Sequence, residues 1–165
     1  MRRLTRALQH TVAAVAVSTL AMRSAPAQSP RDAATPFGAS DLGKLRWLEG
    51  TWRGTSPGEP TVYERYHFVN DSTIEITYYS DSALERPSAS GRVYLTVGRI
   101  YHTFGPNRWA ASRIDKSGVY FVPQVNARNT FSWAYQGPNA WTATRRSGAS
   151  GREMVTVYQM RRMAR

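Results

Sequence analysis

From residue 51 onward the chain is a succession of short runs rich in Val, Ile, Thr, Tyr, Phe and Trp. Turn residues interrupt them about every 8 to 12 positions, the pattern of an all-β sandwich or barrel. The runs predict strands over 51–55, 61–69, 73–80, 92–97, 99–104, 108–114, 119–122, 130–135, 140–146 and 152–163. Between them stand Ser56-Pro57-Gly58, Asn70-Asp71, Ser90-Gly91, Gly98, Gly105-Pro106-Asn107, residues 115–118, Gly137-Pro138-Asn139 and residues 148–151. Connections this short join antiparallel neighbours, because a parallel pair needs a crossover of about a dozen residues or more. An open meander of this length would leave two exposed edges, so the pattern predicts closure into an antiparallel up-and-down barrel of about 8–10 strands.

The alternation within the runs is mixed. In the second, Tyr63, Arg65, His67 and Val69 share one face, and Val62, Glu64, Tyr66 and Phe68 the other. In the third, Ile74, Ile76 and Tyr78 oppose Thr73, Glu75, Thr77 and Tyr79. An interior that takes up large aromatics and a few polar groups suits a container for a small molecule better than a solid core. Ahead of the strands, Ser40-Asp41 can cap a short helix carrying Leu42, Leu45, Trp47 and Leu48 near helical spacing and ended by Gly50. Residues 28–40, with Pro30, Pro36 and Gly38 and no periodicity, predict a flexible lead-in to a folded domain over 41–163.

The first 27 residues change the picture of where the protein works. Arg2, Arg3 and Arg6 precede an apolar stretch from Val12 to Met22, and the small triplet Ala25-Pro26-Ala27 follows, the order of a secretory signal peptide. The apolar stretch is too short for a spanning helix of about 20 residues, so no stable membrane insertion is expected. Cleavage after Ala27 predicts a mature chain free in the periplasm or outside the cell. The whole chain carries 22 basic and 11 acidic residues, a net charge of +11, with 41% hydrophobic and 12% aromatic residues and no cysteine. Loss of Arg2, Arg3, Arg6 and Arg23 would leave 18 basic against 11 acidic residues, or +7. That surface admits a module for anionic lipid or glycan. The basic residues are scattered, however, with tight pairs only at Arg145-Arg146 and Arg161-Arg162, and nucleic acid is not an expected partner. The absence of cysteine excludes a disulfide scaffold and a thiolate metal site.

Two segments carry a resemblance. Residues 45–54 place the Gly-x-Trp of Gly50-Thr51-Trp52 on the first strand directly after the short helix, and the chain closes on Tyr158-Gln159-Met160-Arg161-Arg162-Met163. With these residues the chain resembles a small bacterial lipocalin-like (calycin) β-barrel of a poorly characterised family. The resemblance implies a fold without an established activity, in which the first-strand Trp closes the barrel floor and an Arg from the last strand lies on it. That pairing is physically sound, since a guanidinium over an indole face gains roughly 0.5–2 kcal/mol and keeps donors for nearby carbonyls. Trp52 is expected to pair with Arg161 or Arg162, which point to opposite faces. A second similarity, to nitrobindin-type barrels, would imply haem held by a late axial His, but no His follows His102 here.

The candidate chemistry lies in a mixed aromatic and polar set. The expected ligand-binding residues are Glu64, Tyr66, Tyr78, Trp109, Arg113, Asn129, Phe131, Trp133, Trp141, Arg145 and Tyr158, with Tyr101 among them. Aromatic faces stack on a flat organic ligand while a carboxylate and a guanidinium orient it. The expected function is therefore non-enzymatic binding of a small, partly apolar or aromatic molecule inside the barrel. The alternative is an isomerase- or hydrolase-type enzyme with Glu64 as acid or base. No metal is expected, and no cofactor, with haem on Tyr78, Tyr79 or His67 as the exception considered. His67 and His102 read as partly buried or barrel-mouth residues. Gly54-Thr55-Ser56-Pro57-Gly58 matches a nucleophile-elbow pattern, but that elbow needs a following helix and here a strand follows.

Overall fold

In the computed structural model the described residues are 35–149 and 152–164. The expected export segment, 1–27, and the lead-in as far as residue 34 lie outside them. Ten strands follow a short helix α1 (Ala39–Gly43) and a 3₁₀ turn (Arg46–Leu48). They are β1 (Gly50–Thr55), β2 (Val62–Asn70), β3 (Thr73–Tyr79), β4 (Pro87–Thr96) and β5 (Arg99–Phe104), then β6 (Asn107–Asp115), β7 (Gly118–Val125), β8 (Asn129–Gly137), β9 (Ala140–Ser147) and β10 (Met154–Arg162). Each strand pairs antiparallel with its neighbour in sequence, and β1 also pairs with β10, so the sheet is a closed up-and-down barrel. Closure leaves no edge strand to template pairing with another chain.

Four local departures from the expected elements have physical causes. The helix begins two residues earlier and is shorter, because the Gly38 backbone N–H donates to Asp41 Oδ2 at 2.8 Å, making Gly38 the cap where Ser40-Asp41 was expected. Already at Phe37, inside the expected lead-in, the backbone donates to the Gly98 carbonyl at 2.9 Å and the chain is docked. β4 starts at Pro87, five residues before the expected start at Arg92, because Ala89, Ser90 and Gly91 pair with Tyr78, Thr77 and Ile76 of β3. β7 runs through Pro123, which the register tolerates at an irregularity opposite Trp109.

The two ends of the barrel differ. At one end the turns 71–72, 97–98, 116–117 and 138–139 are tight; at the other, loops 56–61 and 80–86 are longer, beside the tight turn 105–106. The tight end is sealed. Leu42, Leu45 and Leu48 are fully buried there beside Trp52, whose indole N–H donates to the Leu48 carbonyl at 2.7 Å. The Arg162 Cζ stands 4.2 Å from the centre of the Trp52 ring, and its nitrogens donate to the carbonyls of Glu49 (2.6 Å), Pro138 (2.9 Å) and Trp47 (3.1 Å). Of the two arginines left open by the sequence, Arg162 is the plug and Arg161 is exposed. Gly50, at φ +118°, accommodates it, since a Cβ there would collide with the guanidinium. Above the plug, Ile74, Ile76, Val93, Ile100, Phe121 and Trp141 fill the interior.

Candidate functional site

Beyond that packed layer the interior opens into a cavity of about 450 Å³ at the end with the long loops. Alternation places its wall. Val62, Glu64 and Tyr66 come from β2 and Tyr78 from β3; β5 adds His102 and Phe104, and β6 adds Trp109. Asn129, Phe131 and Trp133 follow from β8, Ala143 and Arg145 from β9, and Tyr158 and Met160 from β10. Residues two apart on one strand point to the same face, so each strand delivers a short column of side chains. Gly91 on β4 makes room for one of them: a Cβ there would stand 3.4 Å from the Tyr78 ring and 2.6 Å from the Thr103 carbonyl.

The polar groups on this wall are unusual in their partners. Glu64 sits deep among protein atoms, keeping part of its surface on the cavity, and accepts a 2.6 Å hydrogen bond from the Tyr66 hydroxyl. Burial pushes its carboxyl up to about 7, against a smaller downward pull from that hydrogen bond. The Tyr66 and Tyr78 phenols are pushed well above the ordinary range, by burial first and then by the charge of Glu64.

His102 is 5% exposed and held between the rings of Trp109, Phe121, Phe131 and Trp133 at centroid separations of 5.5, 5.8, 5.1 and 5.6 Å. Burial pushes its imidazole down to about 3, so the ring is neutral. Neither Nδ1 nor Nε2 has a hydrogen-bond partner among the described residues. A neutral imidazole offers one donor and one acceptor, and both stand unfilled in a buried place where such groups are almost always paired.

At the rim, Arg145 donates to Thr156 Oγ1 at 3.4 Å and lies 3.8 Å from Glu59 Oε1. The Trp109 indole N–H donates to the Asn129 carbonyl at 2.8 Å, which holds that ring upright against Phe131, centroid to centroid 5.4 Å.

Nine of the expected residues meet on this wall: Glu64, Tyr66, Tyr78, Trp109, Asn129, Phe131, Trp133, Arg145 and Tyr158. Trp141 faces inward but lies beneath the cavity, fully buried and edge-on to Trp52, Tyr66 and Trp133. Arg113 does not join them. A register shift between Ala111 and Arg113 turns the latter to solvent, 3.6 Å from Asp115, and gives the inward position to Ile114. Tyr101 also faces outward, under the Arg108 guanidinium at 5.1 Å. Of the side chains considered for haem, Tyr78 reaches the cavity, while His67 is exposed and 3.2 Å from Glu49 on the outside, and Tyr79 lies under Arg65 at 5.4 Å.

Among the wall residues not expected as ligand contacts are His102, read only as a partly buried or barrel-mouth residue, and Phe104, with Val62, Ala143 and Met160. The signal for the first two was present: Ile100, His102 and Phe104 alternate on β5, and the apolar Ile100 marks their shared face as inward.

No protein-family model and no curated protein matches the chain. Among solved structures it is similar to a redesigned beta barrel at 13% identity, covering 72% of this chain and 93% of that one with a TM-score of 0.36. It is also similar to EF1p2_mFAP2b bound to DFHBI at 13% identity, covering 74% and 98% with a TM-score of 0.36. Both are remote, and the chemistry of the cavity has to be read from its own residues.

Proposed function

We propose that the protein is an exported binding barrel of the calycin type that holds a small, partly apolar or aromatic molecule in its upper lumen. The observation that carries this reading is a cavity of about 450 Å³ that sets the carboxyl of Glu64, paired with no cation, among aromatic rings. Small-molecule pockets span roughly 300–1,000 Å³ and combine apolar walls with a few placed polar groups. Here Trp109, Phe131 and Trp133 form the apolar part, and Glu64, His102 and Arg145 are the polar groups. The Trp52–Arg162 plug at the opposite end supports the calycin kinship, and the order of features in residues 1–27 supports export.

A second reading has one observation in its favour. A carboxyl titrating near 7 is suited to proton transfer, which makes Glu64 the acid or base of an enzymatic alternative. Native mass spectrometry of the full chain, expressed with its N-terminal segment and recovered from the periplasm, tests the first reading. Retention of one small molecule per chain, lost on denaturation, is the expected result. Ligand-free protein that also takes up no apolar dye would overturn it.

A further inference from the structure

The cavity carries a buried carboxyl with no cation beside it. Glu64 has one hydrogen-bond partner, the neutral hydroxyl of Tyr66 at 2.6 Å, and takes part in none of the ion pairs among the described residues. The cationic side chain on the same wall, Arg145, is directed to Thr156 and Glu59 at the rim. A buried carboxylate is stable only when paired or well hydrogen-bonded. A positive charge is therefore the missing complement.

The surroundings suit one kind of positive charge. Aromatic faces attract cations through their ring quadrupoles, more strongly where water is excluded. Tyr78, Trp109, Phe131, Trp133 and Tyr158 stand on the wall with Glu64. The Trp133 ring packs 5.6 Å from Tyr66, which holds Glu64. A carboxylate inside an aromatic enclosure matches a protonated amine, whose N–H groups need acceptors only. An anion would meet the uncompensated Glu64, with Arg145 already turned to Thr156 and Glu59 at the rim, and a neutral molecule would leave the carboxyl without a countercharge.

We propose that the cavity selects a protonated amine on a flat aromatic frame, its ammonium received by Glu64 and its frame lying among the rings of the wall. This rests on the reading of the cavity as a small-molecule site and names the class of molecule.

The test compares three probes that share one frame: tryptamine, 3-ethylindole and indole-3-propionate, titrated into the full chain by calorimetry at a pH of about 8, where the amine is still charged. Tryptamine is expected to bind at least about tenfold more tightly than 3-ethylindole, with indole-3-propionate weakest. Glu64→Gln should bring tryptamine to within about threefold of 3-ethylindole, because the shape of the side chain is kept and its charge is lost. Equal binding of tryptamine and 3-ethylindole by the native chain, or a preference for the propionate, overturns the inference, and this arm does not depend on how the variant folds. If none of the three binds but the neutral dye N-phenyl-1-naphthylamine does, the amine class is wrong while the small-molecule reading stands. If the dye fails as well, both fall.

Discussion

The Arg162 guanidinium stands 4.2 Å from the centre of the Trp52 ring and donates to three backbone carbonyls, those of Trp47, Glu49 and Pro138. One side chain thus joins the last strand to the first strand, to the 3₁₀ turn ahead of it and to the β8–β9 turn. Arg162→Ala removes the contact with the ring and leaves three carbonyls without their donor, two of them partly buried, so the expected loss is about 1–3 kcal/mol of stability. Arg161→Ala, on the exposed side of the same strand, should stay within about 0.5 kcal/mol. Urea denaturation of the two variants decides the matter, and equal losses would show that the plug is not what Arg162 does.

His102 is expected to add nothing to the fold by hydrogen bonding. Its two nitrogens have no partner on the protein, so His102→Leu should leave the ligand-free chain as stable as before or raise its stability by up to about 1 kcal/mol. A loss greater than about 2 kcal/mol, the range for breaking a buried hydrogen bond, would mean that the imidazole is bonded after all.

Glu64 and His102 should also oppose each other in the pH dependence of stability. Glu64 is raised from 4.5 to about 7, so its contribution is fully present below pH 4.5 and is lost as the pH rises through 7. His102 is lowered from 6.5 to about 3, so its contribution is present above pH 6.5 and is lost as the pH falls toward 3. Between pH 4.5 and 6.5 the two slopes cancel. Glu64→Gln should therefore make stability rise with pH in that window, and His102→Leu should make it fall, each by up to about 1.4 kcal/mol per pH unit. The neighbouring Tyr66 and Tyr78 titrate far above this range. Asp41 and Asp115, held below 3.8 chiefly by hydrogen bonds from Lys44 and Ser117, act only below it. Denaturation midpoints at the two ends of the window that move alike in both variants would refute the assignment.

The barrel was legible because its signals are local. Turn residues and period-two alternation mark every strand, and Gly50-Thr51-Trp52 with the terminal arginines marks where the sheet closes. What stayed hidden depends on register. The choice between Arg161 and Arg162 follows from Trp52 pairing with Arg162 across β1 and β10, which no spacing within one strand reveals. Arg113 was misplaced because an irregularity in the β6–β7 register inverts the alternation that Trp109 had set. Trp141 alternates inward as expected, yet depth along the barrel axis, not facing, makes it part of the packed floor. The inward face of β4 at Ala89 and Gly91 gave no apolar signal because small side chains are what leave the cavity space.

The most direct test fills the lumen. Ala143 lies on the cavity wall, facing inward on β9 between the Trp133 and Tyr158 positions of its neighbouring strands. Titration of N-phenyl-1-naphthylamine into the native chain should give one saturable site that quenches tryptophan emission through Trp109 and Trp133, and Ala143→Trp should abolish it with the circular dichroism of the barrel unchanged. A dye that binds the two proteins equally, or neither of them, would contradict a ligand-accessible cavity above the Trp52 plug.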